Sequence, residues 1–260
     1  MSPRDSVVTI ALLFPDLLGT YGDGGNATVL AQRLRWRGQA AEVITVRSGD
    51  SVPAMADVYV VGGGEDLPQV LAASQLARPA VLARAVDAGA AVLAVCAGLQ
   101  ILGTDFDFSD SDGPKGEGLG LVDAITTRGR GPRAVGEIVV EPAAGLGLAT
   151  LTGYENHSGV TRLGPGVEPA GQVSIGIGNG DGSGTDGFWS GHLLGTYLHG
   201  PVLARNPQLA DRLLSWVVGD LSPLDDGEAE LLRNERLRAA RGAAFHGRRW
   251  PGRRRRYVRR

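Results

Sequence analysis

Runs of branched apolar residues alternate with polar, glycine-rich breaks along the first hundred positions. Residues 7–13 are apolar and β-branched, which predicts a buried strand. Gly19-Thr20-Tyr21-Gly22-Asp23-Gly24-Gly25-Asn26 reads as a turn, with Asn26 placed to cap a helix over residues 27–37. Residues 41–46 predict a second strand, and residues 58–61 a third that runs straight into Gly62-Gly63-Gly64. A helix over 79–88 and a strand over 91–95, ending at Cys96, complete the pattern. Strands alternating with helices at this spacing mean βαβ units and a mostly parallel α/β sheet flanked by helices. Ligands of open sheets of this kind bind beyond the carboxyl ends of the strands.

Past residue 100 the pattern loosens. Residues 104–120 are rich in Asp, Ser and Gly and predict an exposed loop. Residues 137–140 and 173–177 read as strands of an antiparallel-leaning second half, and residues 193–198 as a strand ending at His199. Helical periodicity returns over 206–218 and 228–241. With no internal repeat and no clear linker before about residue 242, one domain over 1–241 and a basic, disordered tail over 242–260 are expected.

Composition narrows the classes. Hydrophobic residues make up 43% of the 260 positions and charged ones 21%, ordinary for a globular protein with a sizeable core. One cysteine excludes an internal disulfide framework, the apolar stretches are too short to span a bilayer, and the N-terminus lacks signal-peptide features. A cytoplasmic protein with no nucleic-acid partner is expected. The net charge of −2 hides an asymmetry: residues 248–260 carry eight arginines and no acid, so residues 1–247 hold 18 basic against 28 acidic groups. That tail is either an anchor for an acidic surface or simply solvated.

The chemistry centres on Val92-Leu93-Ala94-Val95-Cys96-Ala97-Gly98-Leu99-Gln100. A strand delivers a lone cysteine into a sharp turn and an apolar helix begins at once, the form of a nucleophile elbow. Free N–H groups at the helix start favour thiolate, and the N–H after the cysteine can stabilise an oxyanion. A buried structural cysteine is the competing reading. Of four histidines, His199 in Gly195-Thr196-Tyr197-Leu198-His199-Gly200-Pro201 is the best base, at the same sheet edge as Cys96. His157 is a second candidate that would shape the pocket, and His192 and His246 are expected to be solvated. No metal-ligand spacing is present. Gly62-Gly63-Gly64 is neither a dinucleotide fingerprint nor a P-loop, and fits better as a turn presenting an N–H to a tetrahedral intermediate at Cys96.

Taken together, the strand–Gly-Gly-Gly element, the Cys96-Ala97-Gly98-Leu99-Gln100 elbow and Tyr197-Leu198-His199-Gly200-Pro201 resemble class I (triad) glutamine amidotransferases, in the cobyric acid synthase-like branch. Pro201 stands where members with a full triad carry glutamate. Further pieces resemble the glutaminase subunits of lipid II isoglutaminyl synthases: Tyr21-Gly22-Asp23-Gly24-Gly25-Asn26, Glu117-Gly118-Leu119-Gly120 and Gly153-Tyr154-Glu155-Asn156-His157. The resemblance covers about residues 7–240 and implies a flavodoxin-like amidotransferase fold. It implies that Cys96 attacks the glutamine amide while His199 shuttles the proton, with Asp23 a candidate to orient His199. Gly63 and Ala97 would supply oxyanion N–H groups, and Gln100 would contribute to substrate binding. Arg133 matches the position that holds the substrate, and an arginine fork suits an α-carboxylate. No cofactor is implied in this chain: ATP and magnesium would sit on a separate Mur-ligase-like (MurT-like) synthetase that amidates D-glutamate of membrane-bound lipid II to D-isoglutamine. The first strand begins by Val7, which leads us to expect the synthetase on another chain. A corrin-directed amidase subunit is the alternative within the branch. A cysteine peptidase or DJ-1-like protein on the same scaffold, or a binding module without catalysis, are the alternatives outside it.

Overall fold

The computed structural model describes residues 6–77, 80–107 and 115–247. In chain order its strands are β1 (Val8–Leu13), β2 (Ala41–Val46), β3 (Val58–Val61), β4 (Ala91–Val95), β5 (Asp105–Asp107), β6 (Lys115–Glu117) and β7 (Ala124–Arg128). They continue with β8 (Ala134–Pro142), β9 (Leu151–His157), β10 (Gly159–Leu163), β11 (Gly171–Ile175), β12 (Thr185–Asp186), β13 (Phe188–Ser190) and β14 (Leu193–Thr196). The helices are α1 (Gly25–Trp36), α2 (Asp66–Ala77), α3 (Val81–Asp87), α4 (Ala97–Leu102), α5 (Val202–Arg205), α6 (Pro207–Val218) and α7 (Gly227–Gly247).

The central sheet has the order β13-β14-β4-β3-β1-β2, parallel throughout except for the antiparallel edge strand β13. Every residue of β3 and β4 is buried, as continuous apolar runs must be when helices cover both faces. β1, β3, β4 and β14 therefore empty at one edge: β1 leads through the turn holding Asp23, β3 into Gly62–Gly64, β4 into Cys96, and β14 to His199.

Two four-stranded sheets form the second half, in the orders β10-β7-β5-β6 and β12-β11-β8-β9. β9 passes into β10 and so joins the two. It is also stitched to the central sheet's functional edge, since Tyr154 and His199 exchange backbone hydrogen bonds of 3.0 and 2.8 Å.

The structure departs from the sequence expectations in several places. Residues 104–120 are not one exposed loop, because β5 and β6 lie within it and Phe106 is fully buried; residues 108–114 lie outside the described residues. Helix α2 fills the stretch after Gly62–Gly64, its Pro68 tolerated in the first turn where an N–H has no intrahelical partner. Asn26 lies inside α1, not at its cap, and its side-chain oxygen accepts the Leu203 N–H at 3.0 Å. Helix α7 continues past residue 242 to Gly247, while residues 248–260 of the basic tail lie outside the described residues. Leu237 and Ala240 of α7 pack on Val139 of β8, which gives the helix a tertiary reason to persist. Among the described residues, no helix is long and apolar enough to cross a membrane.

Candidate active site

Cys96 sits between β4 and α4 with φ 52° and ψ −103°, left-handed backbone that a non-glycine residue adopts only when its surroundings impose it. The imposing contacts are visible. The Cys96 N–H donates to Thr196 O at 2.9 Å, and the Gly98 N–H donates to Gly62 O at 3.1 Å. A side chain on Gly98 would meet Val61 O at 2.5 Å, so the elbow closes only over glycine. The cysteine is 6% exposed, at the floor of a cavity of about 220 Å³. That is below the roughly 300–1,000 Å³ of pockets for larger ligands and suits a single amino acid. A larger groove of about 760 Å³, between α1 and the start of α7, contains none of the candidate residues.

His199 is 1% exposed, and its Nδ1 lies 2.9 Å from Asp23 Oδ2. A carboxylate only accepts, so Nδ1 carries a proton, and Nε2 is the ring nitrogen that Asp23 leaves uncommitted. That Nε2 is buried without a hydrogen-bond partner among the described residues. Burial pulls the imidazole pKa down, but the hydrogen bond to Asp23 and the influence of the Cys96 side chain outweigh it and raise the value to about 10. Pro201 packs against Gly25 at the start of α1, whereas the carboxylate beside His199 comes from Asp23, two residues before that helix.

Gly63 lies among these three groups. A Cβ there would stand 2.6 Å from His199 Cε1, 3.1 Å from Asp23 Oδ2 and 3.4 Å from Cys96 Cβ. Its N–H, expected to face an oxyanion, instead donates to Asp23 Oδ2 at 2.9 Å. The N–H groups of Gly64 and Ala97 make no hydrogen bond among the described residues, and Gly64 lines the cavity beside Cys96.

Arg133 reaches the cavity from just before β8. Its Nε donates to Asn156 Oδ1, and a terminal nitrogen donates to Asn156 O at 3.0 Å. Gln100 also lines the cavity, but its carboxamide is engaged on both sides. It accepts from Gln69 at 2.9 Å and donates to the Tyr197 hydroxyl at 3.0 Å. Burial and the neighbouring Cys96 push the Tyr197 hydroxyl's pKa well up, so it stays protonated. Gln100 thus builds the floor more than it offers free groups to a substrate. His157 stacks on Tyr197 with ring centroids 3.8 Å apart. His192, expected in solvent, stacks on Trp216 and hydrogen-bonds Gly89 O at 2.9 Å, and the side chain of His246 lies outside the described residues.

The sequence reading missed Gly64, Gln69, Tyr21 and Asn156. The last two lie inside motifs already quoted, but no spacing rule connects positions 135 residues apart. Among the described residues, no group of three or more His, Cys, Asp or Glu side chains is arranged to hold a metal ion.

A cysteine on a strained elbow, a histidine–aspartate pair beside it and a small arginine-gated cavity agree with what sequence comparison finds. The model of the CobB/CobQ-like glutamine amidotransferase domain matches residues 9–207. The chain belongs to that family. This amidotransferase is 35% identical over 209 residues to subunit GatD of the glutamine-hydrolysing lipid II isoglutaminyl synthase of Staphylococcus aureus (strain N315), covering 80% of this chain and 83% of that protein. The GatD subunit of Streptococcus pneumoniae (strain ATCC BAA-255 / R6) is 33% identical over 210 residues, covering 80% and 79%. Cobyric acid synthase of Pelotomaculum thermopropionicum is 33% identical over 185 residues, but the amidotransferase spans only 34% of its length.

Proposed function

We propose that this amidotransferase is the glutaminase subunit of a lipid II isoglutaminyl synthase. The observation that carries the reading is the match to GatD subunits over about four-fifths of both partners, against one third of the length of cobyric acid synthase.

The site supports a glutaminase mechanism that draws on each of these groups. Arg133 holds the α-carboxylate of glutamine at the cavity mouth. Cys96 attacks the side-chain amide carbon as its thiolate, with the protonated His199 as counter-ion. The N–H groups of Gly64 and Ala97 receive the developing oxyanion. His199 gives its proton to the departing nitrogen, releasing ammonia and leaving a Cys96 thioester. It then takes a proton from the water that hydrolyses the thioester to glutamate. Asp23 accepts the Nδ1 proton and so orients the ring with Nε2 toward the sulfur.

The ammonia is delivered to a Mur-ligase-like (MurT-like) partner that binds ATP and magnesium and activates the D-glutamate α-carboxylate of the lipid II stem peptide. Reconstitution of both chains with ATP, glutamine and lipid II, read by mass spectrometry, is expected to yield the D-isoglutamine product. Amidation of a corrin carboxylate with lipid II untouched would overturn the assignment.

A further inference from the structure

Two residues in the site have no part in the chemistry above, yet they join its two halves. Tyr21 lies in the turn before α1, and its ring meets the His199 imidazole edge-on, with centroids 4.6 Å apart and planes at 61°. Asn156 lies on β9, beside Arg133. A guanidinium has only donors, so the Asn156 Oδ1 must face Arg133, which fixes the orientation of the carboxamide. The Nδ2 is thereby turned the other way, and it donates to the Tyr21 hydroxyl at 2.6 Å. The result is a continuous path: Arg133 to Asn156 to Tyr21 to the ring of His199. Asp23 holds that ring by one hydrogen bond, at Nδ1. The Tyr21 ring packs on the imidazole, and its hydroxyl is tied through Asn156 to Arg133.

We propose that Tyr21 and Asn156 are positioning residues that couple glutamine binding at Arg133 to the orientation of the His199 imidazole. A carboxylate arriving at Arg133 competes for the guanidinium donors now spent on Asn156. The carboxamide must then readjust, and the phenol it holds bears directly on the base. The site is thus set for proton transfer when its substrate carries the α-carboxylate. The inference rests on the glutaminase reading of Cys96, His199 and Arg133.

The test is a double-mutant cycle on the full-length chain, with its synthetase partner present where turnover requires it. Tyr21→Phe keeps the ring and removes the hydroxyl. It is expected to lower kcat/KM for glutamine about tenfold, the scale of one hydrogen bond that matters in the transition state. Asn156→Ser is expected to do the same, which guards against a folding defect peculiar to one variant. In an Arg133→Ala background, Tyr21→Phe is expected to cost less than twofold, because the path is already cut. Full additivity of the two changes, with Arg133→Ala raising KM as expected, overturns the coupling while leaving the glutaminase reading intact. An unchanged KM in Arg133→Ala instead sinks the assignment of that arginine. Iodoacetamide alkylation of Cys96 across pH gives a readout free of glutamine. Tyr21→Ala is expected to shift the alkylation profile because the ring clamp is gone, and a wild-type profile would overturn the clamp.

Discussion

Two buried histidines lie near Cys96, one beyond the end of β14 and one at the end of β9 in the cavity wall, and each has a carboxylate beside it. The carboxylates differ in what they have left to give. Glu155 accepts the N–H groups of Ile177 and Gly178 at 2.9 and 3.0 Å, and stands 3.6 Å from His157 Nε2. His157 spends its Nδ1 proton on Gly159 O and its face on Tyr197. Asp23 accepts one backbone N–H, from Gly63, and the Nδ1 proton of His199 at 2.9 Å, close enough for a charge-assisted bond. The β14 histidine is therefore held by its carboxylate through Nδ1, whereas the β9 histidine is held at Nδ1 by a backbone carbonyl and by a ring stack, its carboxylate occupied elsewhere. A histidine near a carboxylate is not yet a catalytic pair. The geometry of the second contact decides.

The largest effect should come from the sulfur itself. Cys96→Ser is expected to abolish glutaminase activity with the fold intact, while free ammonium still supports amidation by the assembled complex. Glutamine hydrolysis at the wild-type rate would refute the nucleophile. The comparison of the two histidines comes next. His199→Ala should lower kcat by roughly 10²–10⁴-fold, the range of general acid–base catalysis. His157→Ala should keep turnover within about tenfold while lowering thermal stability by roughly 1–3 kcal/mol through the lost stack. The reverse ranking would exchange the two assignments.

Arg133→Ala is expected to raise KM for glutamine more than it lowers kcat, since it removes binding made equally in the ground and transition states. Steady-state kinetics over a wide glutamine range settles the split. The smallest effect is on stability against pH. The folded pKa of His199, about 10, lies above its ordinary 6.5. Its stabilising contribution is therefore full below pH 6.5 and is lost as pH rises through about 10. The melting-temperature advantage of wild type over His199→Gln should shrink across that window, and an advantage independent of pH would argue against a charged imidazole.

The central sheet was legible because β1, β3 and β4 are apolar on both faces, so each announces itself without reference to a neighbour. The second half was not. β9 reads Leu-Thr-Gly-Tyr-Glu-Asn-His, and its polar residues are buried by partners on β8 and in the stretch 177–178 that no local window contains. Helix α2 hid behind Gly62–Gly64 and Pro68, which look like continued turn until the proline is placed in a first turn. At the site, Cys96 and His199 could be named from strand-end position, and the structure brings them together with Asp23. That the Gly63 N–H is spent on Asp23 could not be foreseen, because a carboxylate 40 residues away claims one N–H of a triple-glycine run.

That triple-glycine run also sets how much variation the gene can accept. The backbone at Gly63 is one an L-residue could adopt, so conformation imposes no limit there, and the exclusion comes from crowding alone. One methyl group would push at once on the His199 ring and the Asp23 carboxylate, both held by their mutual hydrogen bond, while touching Cys96 at ordinary contact distance. Gly22, by contrast, faces open space, and its limit is a φ of 73° that asparagine or aspartate can share. In a saturation library selected for growth on glutamine-derived nitrogen at this step, position 63 should return glycine alone, while position 22 should return a small polar set.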